Sequence, residues 1–145
     1  MKKNFKRVHT PVDFVISGAF IAAGIGLFFV SKGIGITLAV IGLLLLVFLK
    51  SGFQRENDSI ILSHKKIEIG KRYQQTVLDF LNGKSEELQV KPGNEGGTLL
   101  LETWYNSKEG VAFAQLSTYE ELSFQPITEI IELKDHQTKI LIEKL

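Results

Sequence analysis

Cysteine is absent from the 145 residues. That excludes disulfide scaffolds, cysteine-ligated zinc, iron–sulfur clusters and thiol catalysis, and leaves the compartment open. Acid is nearly absent from the first third of the chain. Residues 1–50 contain six basic residues (Lys2, Lys3, Lys6, Arg7, Lys32, Lys50) and one acid, Asp13, whereas residues 51–145 contain eleven basic and fifteen acidic residues. The net charge of +1 therefore conceals a basic, apolar end and an acidic, polar end. Apart from Asp13, charge of either sign disappears from two long stretches, and those stretches decide the class of protein.

The first stretch, residues 12–31, reads VDFVISGAFIAAGIGLFFVS, with Asp13 its only ionisable group. Twenty helical residues span about 30 Å, the thickness of a bilayer hydrocarbon core. Ser31-Lys32-Gly33 makes a tight turn. The second stretch, residues 34–49, reads IGITLAVIGLLLLVFL and carries no charge. It is slightly short, and Lys32 and Lys50 can snorkel to the headgroups. A buried soluble hairpin is disfavoured, because the remaining 95 residues are too few to cover both helices. A cleaved signal peptide is disfavoured by the length of the run, the lack of an A-x-A site and the second span that follows. The basic flanks predict both termini in the cytoplasm and the turn outside, which places the protein in the cytoplasmic (inner) membrane. Asp13 then sits at the interface, where ionisation costs little, and is expected to be no proton relay. Gly18, Ala22 and Gly26 on the first span, with Gly35 and Ala39 on the second, recur at four-residue spacing. They are the expected helix-packing residues, within the hairpin or against another membrane protein.

The expected organisation is a basic N-terminal segment (1–11), a two-helix hairpin (12–50), a polar linker (51–58) and an antiparallel β domain with a C-terminal helix (59–145). Residues 98–105 (TLLLETWY) and 111–119 (VAFAQLSTY) are the clearest strands, joined by Asn106–Gly110. Short apolar runs at 60–62, 66–69 and 127–133 read as further strands. Residues 73–88 fit two patterns. Tyr73, Val77, Leu78, Leu81 and Leu88 have helical spacing, but Asn82-Gly83 is a hairpin signal, and it tips the reading toward two strands. Lys91–Gly97 is a breaker cluster. Residues 134–145 predict a helix capped by Asp135, with Ile140, Leu141 and Leu145 on one face. The fold class is thus a membrane α-helical hairpin followed by a small α+β domain, an antiparallel strand roll closed by a helix. This order of elements over residues 12–145 resembles the bacterial pleckstrin-homology-like membrane proteins. The resemblance implies a non-enzymatic module next to the membrane and assigns no residue a role.

Catalytic patterns are missing. Lys91–Gly97 lacks the Gly-Lys-Ser/Thr ending of a phosphate loop and leads into a strand. His9, His64 and His136 have no metal-ligand spacing, so solvated histidines and no metal or other cofactor are expected. Glu86-Glu87 and Glu120-Glu121 are adjacent residues that a strand sends to opposite faces, so neither is a dyad; with Glu129 and Glu132 they read as acidic surface. Two binding features remain. Lys65, Lys66, Lys71 and Arg72 form the basic cluster of the acidic half and are the candidate contact with anionic lipid. Trp104 and Tyr105 are the candidate partner-binding aromatics. The expectation is a non-catalytic accessory protein that docks a membrane-protein partner or self-associates, or alternatively a lipid or small-ligand sensor. The acidic domain makes nucleic acid an unfavourable partner.

Overall fold

A computed structural model describes residues 5–89 and 98–145. The chain forms two compact units: Lys6–Gln54, and a second that joins Met1–Phe5, of which Phe5 is described, to Arg55–Leu145. Among the described residues the elements are helices, then an antiparallel sheet, then a C-terminal helix, an α+β fold.

The first unit is the helical hairpin of α1 (Pro11–Phe28) and α2 (Lys32–Phe48). Pro11 opens α1 at a position where a missing N–H costs nothing. Thr10 and Asp13 then close a capping box. The Asp13 Oδ2 accepts from Thr10 N–H at 2.8 Å, and the Thr10 hydroxyl accepts from Asp13 N–H at 3.4 Å. The same Oδ2 accepts from the Ser51 N–H at 3.0 Å, beyond the end of α2, and the Thr10 and Ser51 hydroxyls meet at 2.9 Å. Asp13 therefore fastens the entrance of one helix to the exit of the other, and is buried. Asp13→Ala removes an acceptor shared by two N–H groups. It should lower hairpin stability by about 2 kcal/mol, read as a lower unfolding midpoint in mild detergent.

The sequence missed two short strands flanking the hairpin, β1 (Phe5–Val8) in the basic arm and β2 (Gly52–Arg55) in the stretch read as linker; the two are sheet neighbours. Arg7 lies over the Phe53 ring at 5.5 Å. Neither FKRV nor GFQR alternates in hydrophobicity, so pairing and not composition makes them strands.

The second unit is built on β3 (Ile61–Gly70), β4 (Thr98–Asn106) and β5 (Val111–Glu120), all antiparallel. The runs at 60–62 and 66–69 belong to the single strand β3. Beyond β5 lie β6 (Ser123–Pro126) and the two-residue β7 (Ile131–Glu132), both paired to β5. The strand expected at 127–133 shrinks to β7. Thr128 bonds through its side chain and carbonyl to Leu116 N–H and the Gln115 amide, and so interrupts it.

Residues 73–88 do not form a hairpin. Lys71–Tyr73 is one 3-10 turn and α3 (Gln74–Leu81) follows. Asn82-Gly83 ends that helix. Gly83 has φ +72°, its N–H donates to Phe80 O at 3.0 Å, and Lys84 N–H donates to Asp79 O at 2.8 Å, the double bond of a Schellman cap. Gly83→Ala forces a Cβ into the left-handed region and should cost about 1–2 kcal/mol, measured by chemical denaturation. The breaker cluster Lys91–Gly97 lies outside the described residues.

One face of the sheet (Ile69, Leu99, Leu101, Ala112, Ala114, Leu116) packs with Val77, Phe80 and Leu81 of α3 and with Leu141 of α4 (Asp135–Lys144). Ile140 and Leu145 pack beside Leu141, as their spacing requires. The cap is Lys134, not Asp135, with Lys134 N–H donating to the Gln137 Oε1 at 3.2 Å. The Gln137 amide in turn donates to Phe80 O, tying α4 to the end of α3.

Candidate interaction site

The opposite face of the sheet carries the side chains that are not explained by the main core. Strand alternation places His64, Lys66, Glu102, Trp104 and Phe113 there, with His64 opposite Trp104 and Trp104 opposite Phe113 in register. Phe5 completes the group. Its ring stacks on Trp104 at 4.7 Å with a 15° interplanar angle and meets Phe113 edge-on at 5.5 Å. His64 stacks against Trp104 at 5.1 Å and 19°. The indole is thus covered by both rings and is 7% exposed. Its Nε1–H is buried and has no hydrogen-bond partner among the described residues, an uncompensated cost at the centre of the cluster.

A ring of charge borders the aromatics. Glu102 bonds the Lys66 ammonium at 2.8 Å and lies 3.5 Å from His64 Nε2. Arg55 lies 5.7 Å over the Phe113 ring and 3.6 Å from Glu132. The arrangement is a small aromatic core closed by ion pairs. It offers no aligned nucleophile and base. Among the described residues no three His, Asp or Glu side chains converge as metal ligands do.

The candidate residues from the sequence are redistributed. Trp104 and Tyr105 do not form an exposed pair. Neighbours on a strand face opposite ways, so Trp104 is enclosed by Phe5 and His64 while Tyr105 packs on the main core. The basic cluster divides for the same reason. Lys65 donates to the Leu145 carbonyl on one face and Lys66 is paired with Glu102 on the other. Lys71 and Arg72 lie on the 3-10 turn, with Arg72 4.8 Å over the Tyr73 ring. His64 is half-buried and engaged, not solvated.

On the hairpin, a Cβ added at Gly18 or Gly26 meets nothing within 4 Å, and Ala22 is exposed; these three do not form the helix–helix seam. The seam is Ser17, Ile21, Gly24 and Phe28 against Gly35, Ala39 and Gly42. Alternating steps of four and three residues stay on one stripe of a helix, whereas repeated steps of four drift around it by about 40° each. Gly35 and Ala39 lie in this seam.

The sequence reading missed Phe5, Phe113 and Arg55. Phe5 left one signal, an aromatic ring set between Lys3 and Lys6 in an arm that is otherwise basic. No family model, curated protein or solved structure matches the chain.

Proposed function

We propose that this chain is a non-catalytic, membrane-anchored interaction protein. In this reading the hairpin lies in the cytoplasmic membrane, and the β domain in the cytoplasm docks a membrane-protein partner. The inverted polarity of the hairpin carries the proposal. Its interior is small or polar (Asp13, Ser17, Gly24, Gly35, Gly42), while Val15 is 70% exposed, Phe29 85%, Val30 83% and Phe48 75%. A helix pair in water hides its large apolar side chains; one in lipid turns them outward and closes on small residues. Pro11–Phe28 has the length and hydropathy of a membrane span, and Lys32–Phe48 is a shorter apolar helix of 17 residues.

A second observation supports an even number of crossings. Phe5 precedes the hairpin and Trp104 follows it, yet their rings stack. A single crossing would put a hydrocarbon core between them. The lipid-sensing alternative has less support, because Lys65 and Lys66 are spent on opposite faces.

The absence of cysteine makes the test direct. Single cysteines replacing Gly33 and Lys108 are probed with an impermeant maleimide on intact cells. Gly33 lies in the first turn of α2, next to the loop at 29–31 and not in the turn that the sequence predicts at Ser31-Lys32-Gly33; Lys108 lies between β4 and β5. Labelling at 33 but not at 108, with the chain retained in carbonate-washed membranes, is expected. Release by carbonate would overturn the anchor, and labelling at 108 the orientation. A detergent particle containing this chain alone would overturn the docking.

A further inference from the structure

The tip of the β5–β6 hairpin is built in a way that folding alone does not favour. Glu120 pairs with Ser123, so Glu121 and Leu122 form a two-residue turn. Both have positive φ, 49° and 66°. Turns of this kind ordinarily use Asn-Gly, and a bulky residue in the left-handed region is a genuine outlier. The turn holds Leu122 out at 90% exposure. Behind it, Tyr119 and Phe124 brace the two strands with an edge-to-face contact at 5.1 Å. Glu120 and Glu121 immediately precede the leucine, both exposed and in no ion pair among the described residues. From 119 to 132 the sequence (YEELSFQPITEIIE) contains four glutamates and no lysine or arginine.

We propose that this tip is the docking element of the β domain: Leu122 inserts into a small apolar pocket of a partner protein, and Lys or Arg around that pocket pair with Glu120 and Glu121. The charge selects the occupant. An anionic membrane surface would repel the glutamates, whereas a basic rim completes them and excludes water from the leucine. Outlying backbone at an exposed hydrophobic residue fits a contact kept for binding at the expense of folding. The inference rests on the proposed docking function and adds the element that makes the contact.

The test uses the full chain in its native membranes with p-benzoylphenylalanine replacing Ser123, beside the leucine. Ultraviolet light should yield one adduct with another protein, whose crosslinked peptide carries apolar residues next to Lys or Arg. Leu122→Gly should cut the adduct about tenfold, as should the pair Glu120→Lys, Glu121→Lys. The pair Glu121→Asn, Leu122→Gly should also lose the adduct while raising Tm by about 4–8 °C, since it relieves the turn. An adduct with lipid, with a second copy, or with a peptide lacking basic residues would overturn the proposal. So would no adduct, or one indifferent to these changes, or an unchanged Tm in the Asn-Gly variant. A partner that still co-purifies when the tip gives no adduct leaves the docking function standing and removes only this element.

Discussion

Gly24→Leu is expected to open the helical hairpin. Even a Cβ at Gly24 would lie 2.5 Å from Ala39 N and 2.8 Å from Gly35 O. Those are backbone atoms of the facing helix, so no rotamer change relieves the clash and the helices must separate. Overpacking of a fitted interior ordinarily costs about 1–3 kcal/mol, and a clash with backbone belongs at or above the upper end. The readout exploits the contact between the Thr10 and Ser51 hydroxyls at 2.9 Å. Cysteines at these two positions should oxidise readily in an otherwise cysteine-free chain. Gly24→Leu should abolish that disulfide, and Gly35→Leu should do the same because its Cβ would meet Phe28 N and Cα at 2.5 Å. Gly18→Leu should leave it intact, since that position faces open space. Equal yields from Gly18→Leu and Gly24→Leu would mean that the seam is misassigned.

The second large effect is expected at Trp104. Truncation to Ala empties the slot between Phe5 and His64 and should cost about 3–5 kcal/mol. Small domains are stable by roughly 5–15 kcal/mol in total, so much of the margin would go. Trp104→Phe keeps a ring in the stack and deletes the unpartnered N–H, and should cost far less. Phe5→Ala gives an independent reading, because Trp104 is the only tryptophan. Its fluorescence should move to longer wavelength as one face of the indole meets water. Unchanged emission would show that the arm contributes nothing to the cluster.

What could be read from the sequence followed how strongly a residue's neighbours along the chain determine it. Residues 98–105 and 111–119 alternate or run apolar with β-branched and aromatic side chains, and they are β4 and β5 within a residue. The long apolar runs are α1 and α2, with Asp13 and Lys32 in their first turns. Asn82-Gly83 misled because positive φ serves both a hairpin turn and a helix terminus; local chemistry fixes the dihedral but not the element that ends there. Leu122 left no signal at all, since no turn preference points to it. The aromatic cluster was illegible for a different reason. Trp104, Phe113 and Phe5 are brought together by strand register and by the return of the chain after the hairpin, and neither is encoded near any one of them.

The stack of Phe5 on Trp104 also fixes an order of events during synthesis. The β domain takes Phe5 from before the hairpin and the rest of its aromatic cluster from after position 54, so the cluster cannot close while the ribosome is still making the hairpin. Joining ends separated by that many residues through a disordered chain costs on the order of 3 kcal/mol of loop entropy. A hairpin already zipped along Gly24 and Gly35, with Thr10 beside Ser51, brings the two flanks together beforehand and removes most of that barrier. Closure of the helical pair thus acts as a template for maturation of the domain that follows it, and a bulky N-terminal fusion would be felt about a hundred residues downstream.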